Sequence, residues 1–165
     1  MIDASAWTLL VASLVLVTIL IAITIADFKR MIIPDPFNLA LAASGLGFEL
    51  IVDSDNAPTH ILAAISTFAV LWALRRGHFL WTGRIGLGLG DVKMLAASAL
   101  WISPLLLPVL LSIASATALL FIGGQIATVG MAATRSRVPF GPFVALGLGC
   151  SWTLEQFVGL NLGRL

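Results

Sequence analysis

The residues best suited to chemistry are two aspartates in a chain that otherwise carries few charges. One lies in Gly86-Leu87-Gly88-Leu89-Gly90-Asp91-Val92-Lys93, a glycine-flanked carboxylate at the head of an apolar segment. The other, Asp27, stands where the first long apolar run, Trp7 to Ala26, gives way to Lys29 and Arg30. A charge beside hydrocarbon is costly and tends to be kept only where it works. Two carboxylates brought together cannot both ionise cheaply; they share a proton, so one can act as base on a water and the other as acid. Helix ends suggest the roles. Asp91 begins a helix, which stabilises its charge, and Asp27 ends one, which disfavours it; Asp91 is then the initial base and Asp27 the proton holder. Lys29, Arg30 and Lys93 could invert that order, because such a pair titrates as a unit.

Each aspartate also has a plainer reading. Asp27 alone is a solvated residue of the stretch Asp27-Phe28-Lys29-Arg30. Gly86, Gly88 and Gly90 could simply permit tight helix packing while Asp91 caps a helix. The pairing favours chemistry, because the topology set out below brings both residues to one face. Glycine would further allow an extended peptide to approach beside Asp91.

The elements that must hold these groups are membrane helices. Of 165 residues, 59% are hydrophobic and 10% charged, and the mean hydropathy is +1.06, well above a soluble domain. A span needs about 20 apolar residues. Trp7 to Ala26 meets that; further runs are Phe37 to Val52, Ile61 to Leu74, Val92 to Ile102, Leu105 to Val129 and Val138 to Val158. The expectation is an all-α, polytopic fold of about six transmembrane helices forming a single membrane-embedded domain over residues 1–165, with the second to fourth helices short. Pro34 and Pro36, Asp53 to Pro58, Gly83 to Gly90, Ser103-Pro104 and Arg135 to Pro139 supply the breaks. The piece from Asp91 to Ile102 is only about 18 Å long as a helix. It cannot cross alone, so the glycine segment beside it lines protein or a wet cavity.

Basic residues collect on the cytoplasmic side. Lys29, Arg30, Arg75, Arg76, Arg84, Lys93, Arg135 and Arg137 fall on one face and only Arg164 on the other. Both termini are therefore expected outside the cytosol, with Asp27, Asp91 and the segment Val138 to Pro142 meeting at the cytoplasmic face. The outer face receives Asp3, Glu49, Asp53, Asp55 and Glu155. Trp7, Trp101 and Trp152 near outer ends, with Trp72 and Trp81 near inner ones, suggest an aromatic belt. The beginning of the chain lacks the basic stretch of a cleavable signal, so the first run reads as a retained helix.

Other chemistries are poorly supported. A net charge of +1 leaves no nucleic-acid footprint. The single cysteine, Cys150, excludes an internal disulfide or a CxxC zinc pair and reads as a small packing residue. His60 and His78 lack metal-ligand partners and read as solvated. The glycines form neither a dinucleotide fingerprint nor a Walker loop. No serine nucleophile with a histidine partner is evident.

Three motifs in order resemble the type IV prepilin peptidases, the GxGD aspartic membrane proteases: Asp27-Phe28-Lys29-Arg30-Met31-Ile32-Ile33-Pro34-Asp35, Gly88-Leu89-Gly90-Asp91-Val92-Lys93, and Val138-Pro139-Phe140-Gly141-Pro142-Phe143-Val144-Ala145-Leu146-Gly147. The resemblance covers nearly the whole chain. It implies that Asp27 and Asp91 are the catalytic pair, with no metal or other cofactor. Pro34, Gly88, Gly90, Lys93, Pro139, Phe140, Gly141 and Pro142 would shape the site, the last four in a structural role. It implies a multi-pass protein of the inner (cytoplasmic) membrane, acting on prepilin or pilin-like precursors whose apolar helices lie in the bilayer. Full-length members carry a zinc-binding insertion with paired CxxC motifs, linked to methylation. Here about eleven residues separate the first two apolar runs and Cys150 is alone. The resemblance is therefore to short, peptidase-only members such as those of tight-adherence (Flp) pili. Rival readings are a small proton- or ion-coupled transporter, which would place carboxylates near the midplane of repeated halves, and a catalytically inactive pilus assembly factor. Oligomeric state is open.

Overall fold

The computed structural model describes residues 4–130 and 138–157. All regular structure among them is helical: α1 (Ala4–Arg30), α2 (Asp35–Val52), α3 (Ala57–Thr82), α4 (Leu89–Ser98), α5 (Leu107–Val129) and α6 (Gly141–Phe157), with a 3-10 turn at Pro104–Leu106. Three stretches are long and apolar enough to cross a bilayer: Ala6–Arg30, Ala57–Thr82 and Pro104–Thr128. Large apolar side chains along them, such as Leu14, Leu62 and Leu120, face outward, as expected of a multi-pass membrane protein whose outer solvent is lipid.

Hydropathy located the helices but not all of their ends. The third is not short. It starts at Ala57, with Pro58 in the first turn where a missing N–H costs nothing, and runs through Arg75, Arg76 and His78 to Gly83, whose φ of 68° closes it. Arginine is a good helix former, so the charges interrupt the apolar run without ending the helix. For the same reason α1 continues to Arg30, and Met31 turns the chain with φ 52° and an N–H donated to the Asp27 carbonyl at 2.8 Å.

Helix α4 has only 10 residues. It is sheltered by α2, α3 and α6 on its flanks, and Val92, Met94, Leu95, Ala96, Ala97 and Ser98 are buried. Neighbouring helices thus cover most of this short helix. Its partners approach closely where side chains are absent. A methyl at Gly45 would fall 2.6 Å from Trp101 Cδ1, and one at Gly147 would fall 2.6 Å from the Leu110 carbonyl oxygen on α5.

Two expectations about the end of the bundle remote from Asp91 are corrected. Trp101 and Trp152 are not belt residues: both are buried and meet edge-on at 5.3 Å, with Phe48 against each. Trp101 Nε1 donates to the Leu41 carbonyl at 2.8 Å, so its one polar atom is satisfied inside the core. Trp7, Trp72 and Trp81 do face outward. His60 is not solvated, nor are Glu49 and Glu155 surface charges. All three are buried; His60 Nε2 lies 3.3 Å from Glu49 Oε1 and its Nδ1 3.1 Å from the Ala99 carbonyl, while Glu155 Oε2 accepts from the Ser103 N–H at 2.9 Å. Buried ionisable groups survive only when partnered, and these tie α2 to α3 and α6 to the turn before α5. Cys150 is exposed on α6, not a packing residue of the interior. His78 is exposed, as expected, and its Nδ1 lies 3.0 Å from the Arg84 carbonyl. Asp3, Arg135, Arg137 and Arg164 lie outside the described residues.

The contact at Gly147 gives a controlled test of the α5–α6 packing. Gly147→Ala should destabilise the folded protein by about 1–3 kcal/mol through overpacking against backbone. Gly149→Ala, two residues along the same helix, meets nothing within 4 Å and should be neutral or slightly stabilising. Thermal unfolding of both variants in detergent micelles checks the difference, and equal melting temperatures would contradict the packing.

Candidate active site

Every segment that carries a motif converges on one end of the bundle. The C-terminal end of α1 supplies Asp27, the first turn of α4 supplies Asp91, and the stretch entering α6 supplies Pro139 and Phe140. Together with Met31, Gly88 and Ile122 of α5, they line a single cavity of about 660 Å³. Asp27 is buried and Asp91 partly so, and the two carboxylates are close enough to act on each other electrostatically. The structure thus brings together the two residues that the sequence singled out.

Each aspartate is held by a backbone N–H at a helix start. Asp27 Oδ2 accepts from Gly141 at 2.8 Å, across 114 positions of sequence. The reason lies in the first turn of α6. Pro142 has no N–H, and the Phe143 and Val144 N–H groups both return to the Phe140 carbonyl. That leaves the Gly141 donor free for a carboxylate, at the positive end of the helix. A methyl on Gly141 would fall 2.9 Å from the same Oδ2, so glycine lets the bond form. Asp91 sits in the first turn of α4 and accepts from the Gly88 N–H. A methyl on Gly88 would fall 2.6 Å from Asp91 Oδ2. The space beside this glycine is therefore filled by the carboxylate itself. Because Asp27 meets the start of α6 as well as ending α1, helix ends no longer rank the pair, and the base-and-acid order drawn from them loses its basis.

The remaining motif residues act around this pair. Gly90 allows Ile33 to approach, with Ile33 Cβ 3.1 Å from where a methyl would be, and Ile33 Cδ1 stands 3.2 Å from the corresponding point on Gly141. One buried isoleucine thus separates the starts of α4 and α6. Pro34 is the N-cap of α2 in extended conformation. Lys93 points away from the pair and donates to Asp35 Oδ1 at 2.6 Å, clamping α4 to α2. Sequence reasoning missed two supports of the glycine corner. Asn38 Nδ2 donates to the Gly90 carbonyl at 3.3 Å, and Arg75 Nε donates to the Leu87 carbonyl at 3.0 Å. A polar side chain one turn into an otherwise apolar helix was the available signal for Asn38. Among the described residues no group of three His, Cys, Asp or Glu side chains is arranged to hold a metal.

The fold and this site define a multi-pass helical membrane protein with paired carboxylates at one end of its bundle. The chain belongs to the type IV leader peptidase family, whose profile matches residues 14–123, a span that contains both aspartates. It is 32% identical over 140 residues to a prepilin leader peptidase/N-methyltransferase of Aeromonas hydrophila, covering 82% of this chain and 46% of that protein. It is 31% identical over 134 residues to the like-named protein of Escherichia coli (strain K12), covering 77% and 56%. With that of Dichelobacter nodosus it shares 30% identity over 154 residues, covering 93% and 50%. The chain spans about half the length of the curated relatives it matches. No solved structure matches it.

Convergence of the two aspartates can be checked without any assay of activity. In a chain carrying Asp27→Cys and Asp91→Cys, with Cys150→Ser to remove the native thiol, a short bifunctional thiol reagent should join the two cysteines, seen by mass spectrometry as one reagent on both. The pair Asp35→Cys and Asp27→Cys should not be joined, because Asp35 faces Lys93 on the other side of α4. Bridging of the second pair in place of the first would contradict the cavity.

Proposed function

We propose that this chain is an aspartic endopeptidase of the cytoplasmic membrane that removes the leader peptide from type IV pilin-like precursors, with Asp27 and Asp91 as its catalytic pair. The observation that carries the reading is the meeting of two carboxylates in one cavity, within the segment that matches the family. The alternation of basic residues supports a cytoplasmic position for that cavity, with both termini outside the cytosol, so that a basic leader reaches it from the cytosol.

The chemistry needs only water and the two side chains. A water held between them loses a proton to whichever carboxylate is ionised and attacks the scissile carbonyl. The protonated partner hydrogen-bonds the developing oxyanion and, as the C–N bond breaks, transfers its one proton to the leaving amine, while the water's proton stays on the other carboxylate. Gly141 and Gly88 position the carboxylates through their N–H groups, and Asn38 and Arg75 fix the glycine corner that carries Asp91. Pro139 and Phe140 wall the cavity.

Four residues, 31–34, join α1 to α2, leaving no place there for a zinc-binding insertion. The chain has one cysteine. Both observations support a peptidase-only activity within a single membrane-embedded domain, with no methyl transfer by this segment.

Purified protein in lipid nanodiscs should cleave a precursor built from a short basic leader, a glycine and an apolar helix. Asp91→Asn should reduce the rate roughly a thousandfold or more while leaving the melting temperature within a few degrees. Mass spectrometry of the products reads the cut. Near-native cleavage by the variant would remove Asp91 from the reaction, and no cleavage by the native chain would remove the assignment.

A further inference from the structure

We infer that the precursor's apolar helix docks on the lipid-facing groove between α3 and α5, a surface on the same faces of α4 and α5 as the aspartate cavity. This rests on the endopeptidase reading above and adds to it the route by which substrate reaches the site.

The two longest helices on this side scarcely touch. Between them lies a cavity of about 220 Å³ walled by Val70 and Leu71 of α3, Leu107 and Leu111 of α5, and floored by Leu95 of α4. It lies on the same faces of two helices as the catalytic cavity. On α4, Leu95 in the groove and Asp91 in the site are four residues apart and so share one face. On α5, Leu111 in the groove is followed by Ala118 and Ile122 in the site, at spacings of seven and four that keep to one stripe. The groove and the cavity therefore lie along the same faces of α4 and α5, largely apolar in one stretch and carboxylate-bearing in the other.

That division matches one occupant. A precursor with a polar leader followed by an apolar helix would place its scissile bond at the aspartates and its helix along α5. The larger groove, about 780 Å³ between α2, α3 and α4, is less suited. Leu39, Ile65 and Phe68 line it, but it ends at the Asp35–Lys93 ion pair and contains neither aspartate. The geometry also sets a register. Leu111 stands seven residues from Ala118 and eleven from Ile122, both in the cavity, so at 1.5 Å rise per residue a helix lying alongside α5 should bring to Leu111 a residue roughly seven to eleven positions beyond the cleavage point.

Photocrosslinking tests this. A benzophenone amino acid is placed at Leu111, or at Leu39 as the comparison, in a chain carrying Asp91→Asn so that the precursor persists. The probe is the synthetic precursor of basic leader, glycine and twenty-residue apolar helix, reconstituted in nanodiscs. Position 111 should form an adduct with the precursor, mapped by mass spectrometry to roughly seven to eleven residues past the cut, and position 39 should not. Adducts at 39 in place of 111, adducts at 111 with phospholipid alone, or adducts with a second copy of the chain would overturn the groove. Native protein tested beside them separates the two claims: cleavage without an adduct at 111 leaves the peptidase standing and removes the groove, whereas absence of cleavage overturns both.

Discussion

The structure depends on one hydrogen bond, from the Gly141 N–H to the Asp27 carboxylate. A carboxylate buried at the end of a membrane helix must find donors or be neutralised. Here the donor comes from the start of another helix whose first turn has been arranged to spare it. Proline at 142 removes one competing N–H, and Phe140 absorbs the next two. The bond joins the first and last of the three motifs, and it sets the relative position of α1 and α6. If Asp27 were elsewhere, the start of α6 would have an unsatisfied donor and Asp91 would lack its partner.

A steric constraint complements this electrostatic one. Ile33 is wedged between Gly90 and Gly141, touching the points where side chains would begin. The helices bearing Asp91 and receiving Asp27 therefore approach each other through a single side chain on the four-residue turn after α1. Left-handed backbone at Met31 directs that turn, a conformation that non-glycine residues adopt at a cost and that recurs at functional sites. Glycines at 88, 90 and 141 thus serve close contact within the protein itself. The plainer reading of the glycine segment as packing and capping and the chemical reading of Asp91 describe the same atoms.

Much of this was legible in the sequence, and the reasons differ by residue. Continuous apolar runs bounded by Pro, Gly and charged residues located the six helices of the described residues, and hydrocarbon thickness accounts for the length of only the three longest. The end of α3 was not legible, since Arg75, Arg76 and His78 break the apolar run without breaking the helix. Asp27 and Asp91 stood out because a charge in a sparse background is conspicuous. The Gly141 donor could not stand out, because a backbone N–H carries no residue label; only the flanking Pro139 and Pro142 hinted that this helix start is special. Glu49 and His60 read as surface residues because each is polar and near a helix end. Their pairing across the α2–α3 turn is a tertiary contact, which no local pattern encodes.

The central claim is that Asp27 and Asp91 act as one unit through a shared water and proton. Its most direct test is a double-mutant cycle on precursor cleavage with Asp27→Asn, Asp91→Asn and the double variant, each verified as folded. Acting together, they predict that the double variant is no slower than the slower single variant, because either change already disables the unit. Single effects that multiply in the double variant would show two independent groups and contradict the account.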